Sequence, residues 1–123
     1  MIVSKKISFD AAHYLPDYPG KCRNMHGHRW TVEVAVLGDV SIKNGMVVDF
    51  THLGKFLKLV EGILDHKVIN EVIPDMIPTA ENIADWVKQT FLAYQFRTKA
   101  LSKVTLYRIK VWETEDSCAL VEG

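Results

Sequence analysis

Residues 26 to 36 place His26, His28, Trp30, Val32, Val34 and Val36 at every second position. Side chains two residues apart share a face only on a β-strand. The segment therefore reads as a strand, residues 26 to 37, whose apolar face ends in two imidazoles. Residues 2 to 13 alternate in the same way. Ile7, Phe9, Ala11 and His13 fall on one face, and Lys6, Ser8 and Asp10 on the other. Pro16, Pro19 and Gly20 mark residues 14 to 25 as a loop. If the two strands pair antiparallel across that loop, His13, His26 and His28 meet at one end of a sheet. A slip of one residue would send the imidazoles to the opposite face, so only one register serves.

The remaining chain supplies the cover for such a sheet. Gly38, Asp39, Asn44 and Gly45 form a turn region, and Thr51 reads as the N-cap of a first helix. Leu53, Phe56, Leu57, Val60 and Leu64 recur at helical spacing until Asp65-His66. Residues 67 to 78 read as a connector. Thr79 caps a second helix, with Glu81 in its first turn and Ile83, Trp86, Val87, Thr90, Phe91 and Tyr94 along its buried stripe. Residues 103 to 113 read as a third strand, with Thr105, Tyr107, Ile109 and Val111 on one face and Glu113 at its end. Residues 118 to 122 form a short fourth strand, with Cys118 in the core. The order ββααββ predicts an α+β fold, an antiparallel sheet with two helices on one face, in a single domain over residues 1 to 123.

Formal charge is zero, with 15 Lys and Arg against 15 Asp and Glu. That balance argues against a dedicated nucleic-acid or anionic-membrane binder. No apolar run is long enough to span a bilayer, and the N-terminus lacks the apolar stretch of a secretory signal, so a cytoplasmic address is expected. Two cysteines are too few for a disulfide framework, and one lying near histidines suggests a reactive thiol or a metal ligand.

Three histidines converging at one end of a sheet form a set that suits zinc and leaves the fourth position open, as a catalytic site requires. Nickel, cobalt or iron could use the same donors. Cys22 follows Gly20 and lies between Lys21 and Arg23, the setting of a reactive thiol. By spacing alone it could equally close the site as a fourth ligand. Asp65 and His66 could form an orienting pair or a solvated helix end. Glu113 could bind the N–H edge of a cyclic guanidine-like ring by two parallel hydrogen bonds, or sit on the rim opposite Arg108 or Lys110. Lys21 and Arg23 could meet an anionic substrate tail or only solvent. His52 reads as a surface residue.

The stretch FDAAHYLPDYPGKCRNMHGHRW, residues 9 to 30, resembles the signature of the 6-pyruvoyl- and 6-carboxy-tetrahydropterin synthase family. Residues 46 to 50 (MVVDF), 64 to 66 (LDH), 78 to 82 (PTAEN) and 112 to 114 (WET) resemble its later landmarks, in order. The resemblance implies the tunnelling fold, assembled as a homohexamer of two trimers with sites at subunit interfaces. It implies that His13, His26 and His28 hold Zn2+, and that Cys22, Asp65 and His66 are catalytic. It implies that Glu113, Thr79 and Glu81 bind the pterin. Three residues between Cys22 and His26 resemble the carboxy-forming branch, which serves queuosine-type 7-deazapurine synthesis. That branch is a zinc-dependent carbon–carbon lyase. It converts 7,8-dihydroneopterin triphosphate to 6-carboxy-5,6,7,8-tetrahydropterin, acetaldehyde and triphosphate. A pyruvoyl-forming lyase using the same residues, and a non-enzymatic zinc module, are the alternatives. A side-chain-cleaving branch tends to carry glutamate in place of Cys22.

Overall fold

The computed structural model describes residues 1–123. Two twelve-residue strands, β1 (Ile2–His13) and β2 (His26–Leu37), pair antiparallel without interruption. Ala11 lies opposite His28 and His13 opposite His26, the register that the alternation demands. Strands β3 (Thr105–Thr114) and β4 (Ser117–Glu122) complete a four-stranded antiparallel sheet in the order β1-β2-β3-β4.

Helix α1 (Phe50–Leu64) packs on β1, and the longer helix α3 (Ala80–Arg97) packs on β3 and β4. Both lie on one face of the sheet, as expected. The helical stripe Leu53, Phe56, Leu57, Val60 and Leu64 is fully buried against Phe9, Trp30, Val32, Val34 and Val36. Burial of such side chains stabilises the fold by about 1.5–3 kcal/mol each. On α3, Ile83, Ala84, Val87 and Phe91 are buried, while Trp86, Thr90 and Tyr94 sit half-buried at the margin.

Several expectations need correction. The N-cap of α1 is Asp49, whose carboxylate accepts from both the backbone N–H and the hydroxyl of Thr51 at 2.8 Å. Thr51 is itself helical. The connector holds a four-residue helix, α2 (Ile69–Val72). In β3 the register against β2 shifts so that Tyr107 has no partner. This bulge buries Leu106 and leaves Thr105 and Tyr107 exposed, reversing the expected face before Ile109. Cys118 is exposed on β4 and is no part of the core. No helix is long and apolar enough to cross a membrane.

Candidate functional site

The antiparallel register delivers three imidazoles to one place. His13 Nε2 lies 3.0 Å from His26 Nε2, and the donor nitrogens of His13, His26 and His28 all lie within 4.8 Å of one another. The rings stand edge-on to each other, with centroids 4.6–5.1 Å apart. Trp30, fully buried, forms the apolar floor, edge-on to both His13 and His28.

Backbone carbonyls choose the tautomers. His13 Nδ1 donates to the carbonyl of Pro78 at 2.7 Å, and His26 Nδ1 donates to that of Asn24 at 2.7 Å. A carbonyl can only accept, so the Nε2 atoms of the neutral rings carry lone pairs. Two lone pairs 3.0 Å apart repel unless a cation or a shared proton lies between them. His28 Nε2 is buried and has no hydrogen-bond partner. A buried polar atom without a partner costs about 1–3 kcal/mol. Burial, the largest effect on His13, and the neighbouring His26 and His28 lower its pKa, outweighing the Pro78 bond and Glu113, which raise it. The ring is therefore held in the neutral form that binds metal. Three imidazoles gathered at one end of the sheet, one with a buried nitrogen that has no partner, fit a divalent ion.

The parts that hold this arrangement are main-chain groups and one amide. Pro78 ends the segment before α3, so the entry to that helix orients His13. Asn70 on α2 bridges Tyr14, accepting from its N–H at 3.0 Å and donating to its carbonyl at 2.9 Å. That bridge fixes the residue next to His13. A sequence motif gives no view of a carbonyl partner, but the Pro-Thr pair before a capped helix marks where the chain turns inward.

Glu113 also joins the cluster. It is the residue skipped where β3 and β4 shift register between Trp112 and Thr114. Its Oε1 reaches 3.3 Å from His13 Nε2 and 3.7 Å from His28 Nε2. The rim alternatives are otherwise engaged: Arg108 pairs with Glu33 at 3.2 Å, and Lys110 lies over Trp112.

Cys22 sits half-buried in a single 3-10 turn, Lys21–Arg23, whose carbonyl at Cys22 accepts from Leu15 N–H at 2.7 Å. It stands outside the compact donor set. Lys21 and Arg23 are exposed. Thr79 caps α3 by accepting from Asn82 N–H at 3.2 Å, and Glu81 is exposed in the first turn. His52 is half-buried near the start of α1.

Asp65 and His66 form a real pair. His66 Nδ1 lies 2.9 Å from Asp65 Oδ2, while Asp65 Oδ1 accepts from Asp10 N–H at 3.1 Å. The hydrogen bond that His66 Nδ1 donates to the Asp65 carboxylate raises the His66 pKa and lowers that of Asp65. His66 adopts φ +57°, uncommon for a residue with a side chain. Its N–H donates to Asp10 O, and Ala12 N–H donates to Lys67 O, so residues 66 to 68 run along the free edge of β1. His66 lines a cleft of about 460 Å³ at the edge of β1 that is also bordered by Asp10, Ala12, Gly27, Arg29 and His28. Its hydrogen bonds run to Asp65 and Asp10, none to the three histidines of its own chain.

A family model described as 6-pyruvoyl tetrahydropterin synthase matches residues 2–123. The chain is 42% identical over 91 residues to 6-carboxy-5,6,7,8-tetrahydropterin synthase of Synechocystis, covering 70% of each chain. It is 38% identical over 119 residues to a putative 6-carboxy-5,6,7,8-tetrahydropterin synthase of Archaeoglobus fulgidus, covering 97% of this chain and 93% of that one. The solved structure of Caenorhabditis elegans 6-pyruvoyl tetrahydropterin synthase superposes with a TM-score of 0.85 at 26% identity, covering 100% of this chain and 95% of that chain.

Proposed function

The chain belongs to the 6-pyruvoyl tetrahydropterin synthase family, and from that premise we propose that it is a zinc-dependent carbon–carbon lyase of the carboxy-forming type. Its substrate is 7,8-dihydroneopterin triphosphate. With one water, that substrate yields 6-carboxy-5,6,7,8-tetrahydropterin, acetaldehyde and triphosphate. The dihydropterin ring takes up the electrons lost by the side chain, so no organic cofactor is required. The product suits 7-deazapurine synthesis of the queuosine type.

The observation that carries this reading is the three-imidazole cluster with its unsatisfied His28 Nε2. His13, His26 and His28 hold the ion. Bound there, zinc supplies Lewis acidity toward the hydroxyl oxygens of the substrate side chain. Cys22 takes the proton from the carbon next to those hydroxyls. His66, oriented and kept basic by Asp65, exchanges the hydroxyl protons. Glu113 accepts from the N–H edge of the pterin ring, and Thr79 and Glu81 border the same pocket. The homo-oligomer, read as a hexamer of two trimers with sites at subunit interfaces, rests on the family to which the chain belongs.

The similarity to the Caenorhabditis elegans protein favours a second reading, in which triphosphate leaves but the side chain stays whole as a pyruvoyl group. Mass analysis of the pterin formed from dihydroneopterin triphosphate decides between them. The carboxy product is expected. A pyruvoyl product establishes the second reading, and recovery of unchanged substrate with zinc-loaded protein overturns both.

A further inference from the structure

Glu113 is positioned more closely to the histidines than a group reserved for a substrate ring needs to be. Its Oε1 lies 3.3 Å from His13 Nε2 and 3.7 Å from His28 Nε2, and His13 Nε2 lies 3.0 Å from His26 Nε2. Donors around a tetrahedral ion with bonds of 2.0–2.1 Å stand about 3.3 Å apart. These three of the six separations bracket that edge length, and the histidine nitrogens spread no farther than 4.8 Å from one another, so the four donors are partly gathered around one point. His13 Nδ1 donates to the Pro78 carbonyl, which leaves Nε2 as the nitrogen turned toward both His26 and Glu113. Nitrogen and carboxylate donors gathered in this way suit a shared divalent cation.

The backbone aims the side chain there. Glu113 is the unpaired residue where the β3–β4 register shifts, and a bulge of this kind redirects a side chain from the regular pleat. Its side chain keeps 32% exposure, against 1% for His13. It can therefore withdraw without unpacking the core, whereas His13 cannot.

We propose that Glu113 is a fourth, displaceable donor to the metal ion in the resting site, closing it as a centre of three imidazoles and one carboxylate until substrate arrives. The inference rests on the reading of His13, His26 and His28 as the metal set. The ion then carries one compensating negative charge at rest. Entry of a pterin exchanges that carboxylate contact for one with the ring, so ring binding and the opening of a position on the ion become one event.

The test uses full-length protein loaded with Co2+, whose visible absorption reports donor number and type. Metal affinity is read separately by competition with a chromogenic chelator. Glu113→Gln is expected to change the Co2+ spectrum and weaken affinity by about 10- to 100-fold, the range seen when groups supporting a metal site are lost. Glu113→Asp, which draws the oxygen back by one methylene, is expected to change the spectrum as well. His28→Ala serves as the reference. If His28→Ala lowers affinity while both Glu113 variants keep the wild-type spectrum and affinity, this proposal is overturned and the three-histidine reading stands. If His28→Ala itself binds Co2+ as tightly as wild type, the metal reading fails with it.

Discussion

Asn70 offers a sharp test of how the fold holds its site. Its amide makes two hydrogen bonds to the backbone of Tyr14, at 3.0 and 2.9 Å, both partly buried. Replacement by alanine removes both and leaves a half-buried N–H and C=O to find water. Each such bond contributes a net value of about 0.5–1.5 kcal/mol, so the loss is about 1–3 kcal/mol. In a domain of this size that lowers Tm by roughly 4–10 °C. A second effect separates this residue from an ordinary turn contact. Tyr14 follows His13 directly, and loosening it blurs the position of a ring held only by Pro78 and its neighbours. Metal affinity should fall by about tenfold or more. Thermal unfolding by circular dichroism and chelator competition measure the two effects on the same samples. A Tm within about 1 °C of wild type and unchanged affinity, set against the net bond values above, would refute the idea that α2 serves as a clamp.

Further outcomes follow from the same geometry. Cys22→Ala should keep its metal yet lose turnover by about 10²- to 10⁴-fold, the usual effect of removing a proton-transfer group; metal loss in this variant would instead make Cys22 a ligand. Asp65→Asn should bring the His66 titration, followed by NMR, down toward its ordinary 6.5, because the bond to Asp65 is the first cause of its raised pKa. A raised histidine stabilises the fold fully below 6.5 and loses that contribution as pH rises through its folded value. The lowered Asp65 contributes fully above 3.8 and loses it as pH falls through its folded value. The pair therefore contributes in full between those two values, and an unshifted His66 titration in Asp65→Asn would exclude the coupling. Asp49→Ala should lower the midpoint of urea unfolding, and Thr51→Ala clearly less, since the carboxylate of Asp49 is the acceptor at the helix start.

Much of this architecture is legible in the order of side chains, for identifiable reasons. His13, His26 and His28 continue apolar faces of period two, and a buried face tolerates only one register, so their convergence follows from the pattern. The α1 stripe is equally plain because a helix on a sheet must bury one side. Alternation misplaces Tyr107 because a bulge arises from strand twist and pairing, which a period of two does not encode. Asp49 and Thr51 are both capable caps two residues apart, and only backbone geometry decides which one accepts. The roles of Pro78 and Asn24 are invisible because their carbonyls act, and every residue has one. Cys118 reads as core by its residue type, yet its strand has one exposed face and the thiol lies there. The place of Glu113 at the end of a strand is plain, but its turn toward the histidines depends on a register shift.

The central claim is that His13, His26 and His28 together hold one divalent ion. X-ray data collected on crystals of the purified protein, above and below the zinc absorption edge, test it directly. The account predicts one anomalous peak per chain, about 2.0–2.1 Å from all three Nε2 atoms. A metal-free cluster in zinc-supplemented crystals, or a peak held by Cys22 with any of the three imidazoles turned away, would contradict it.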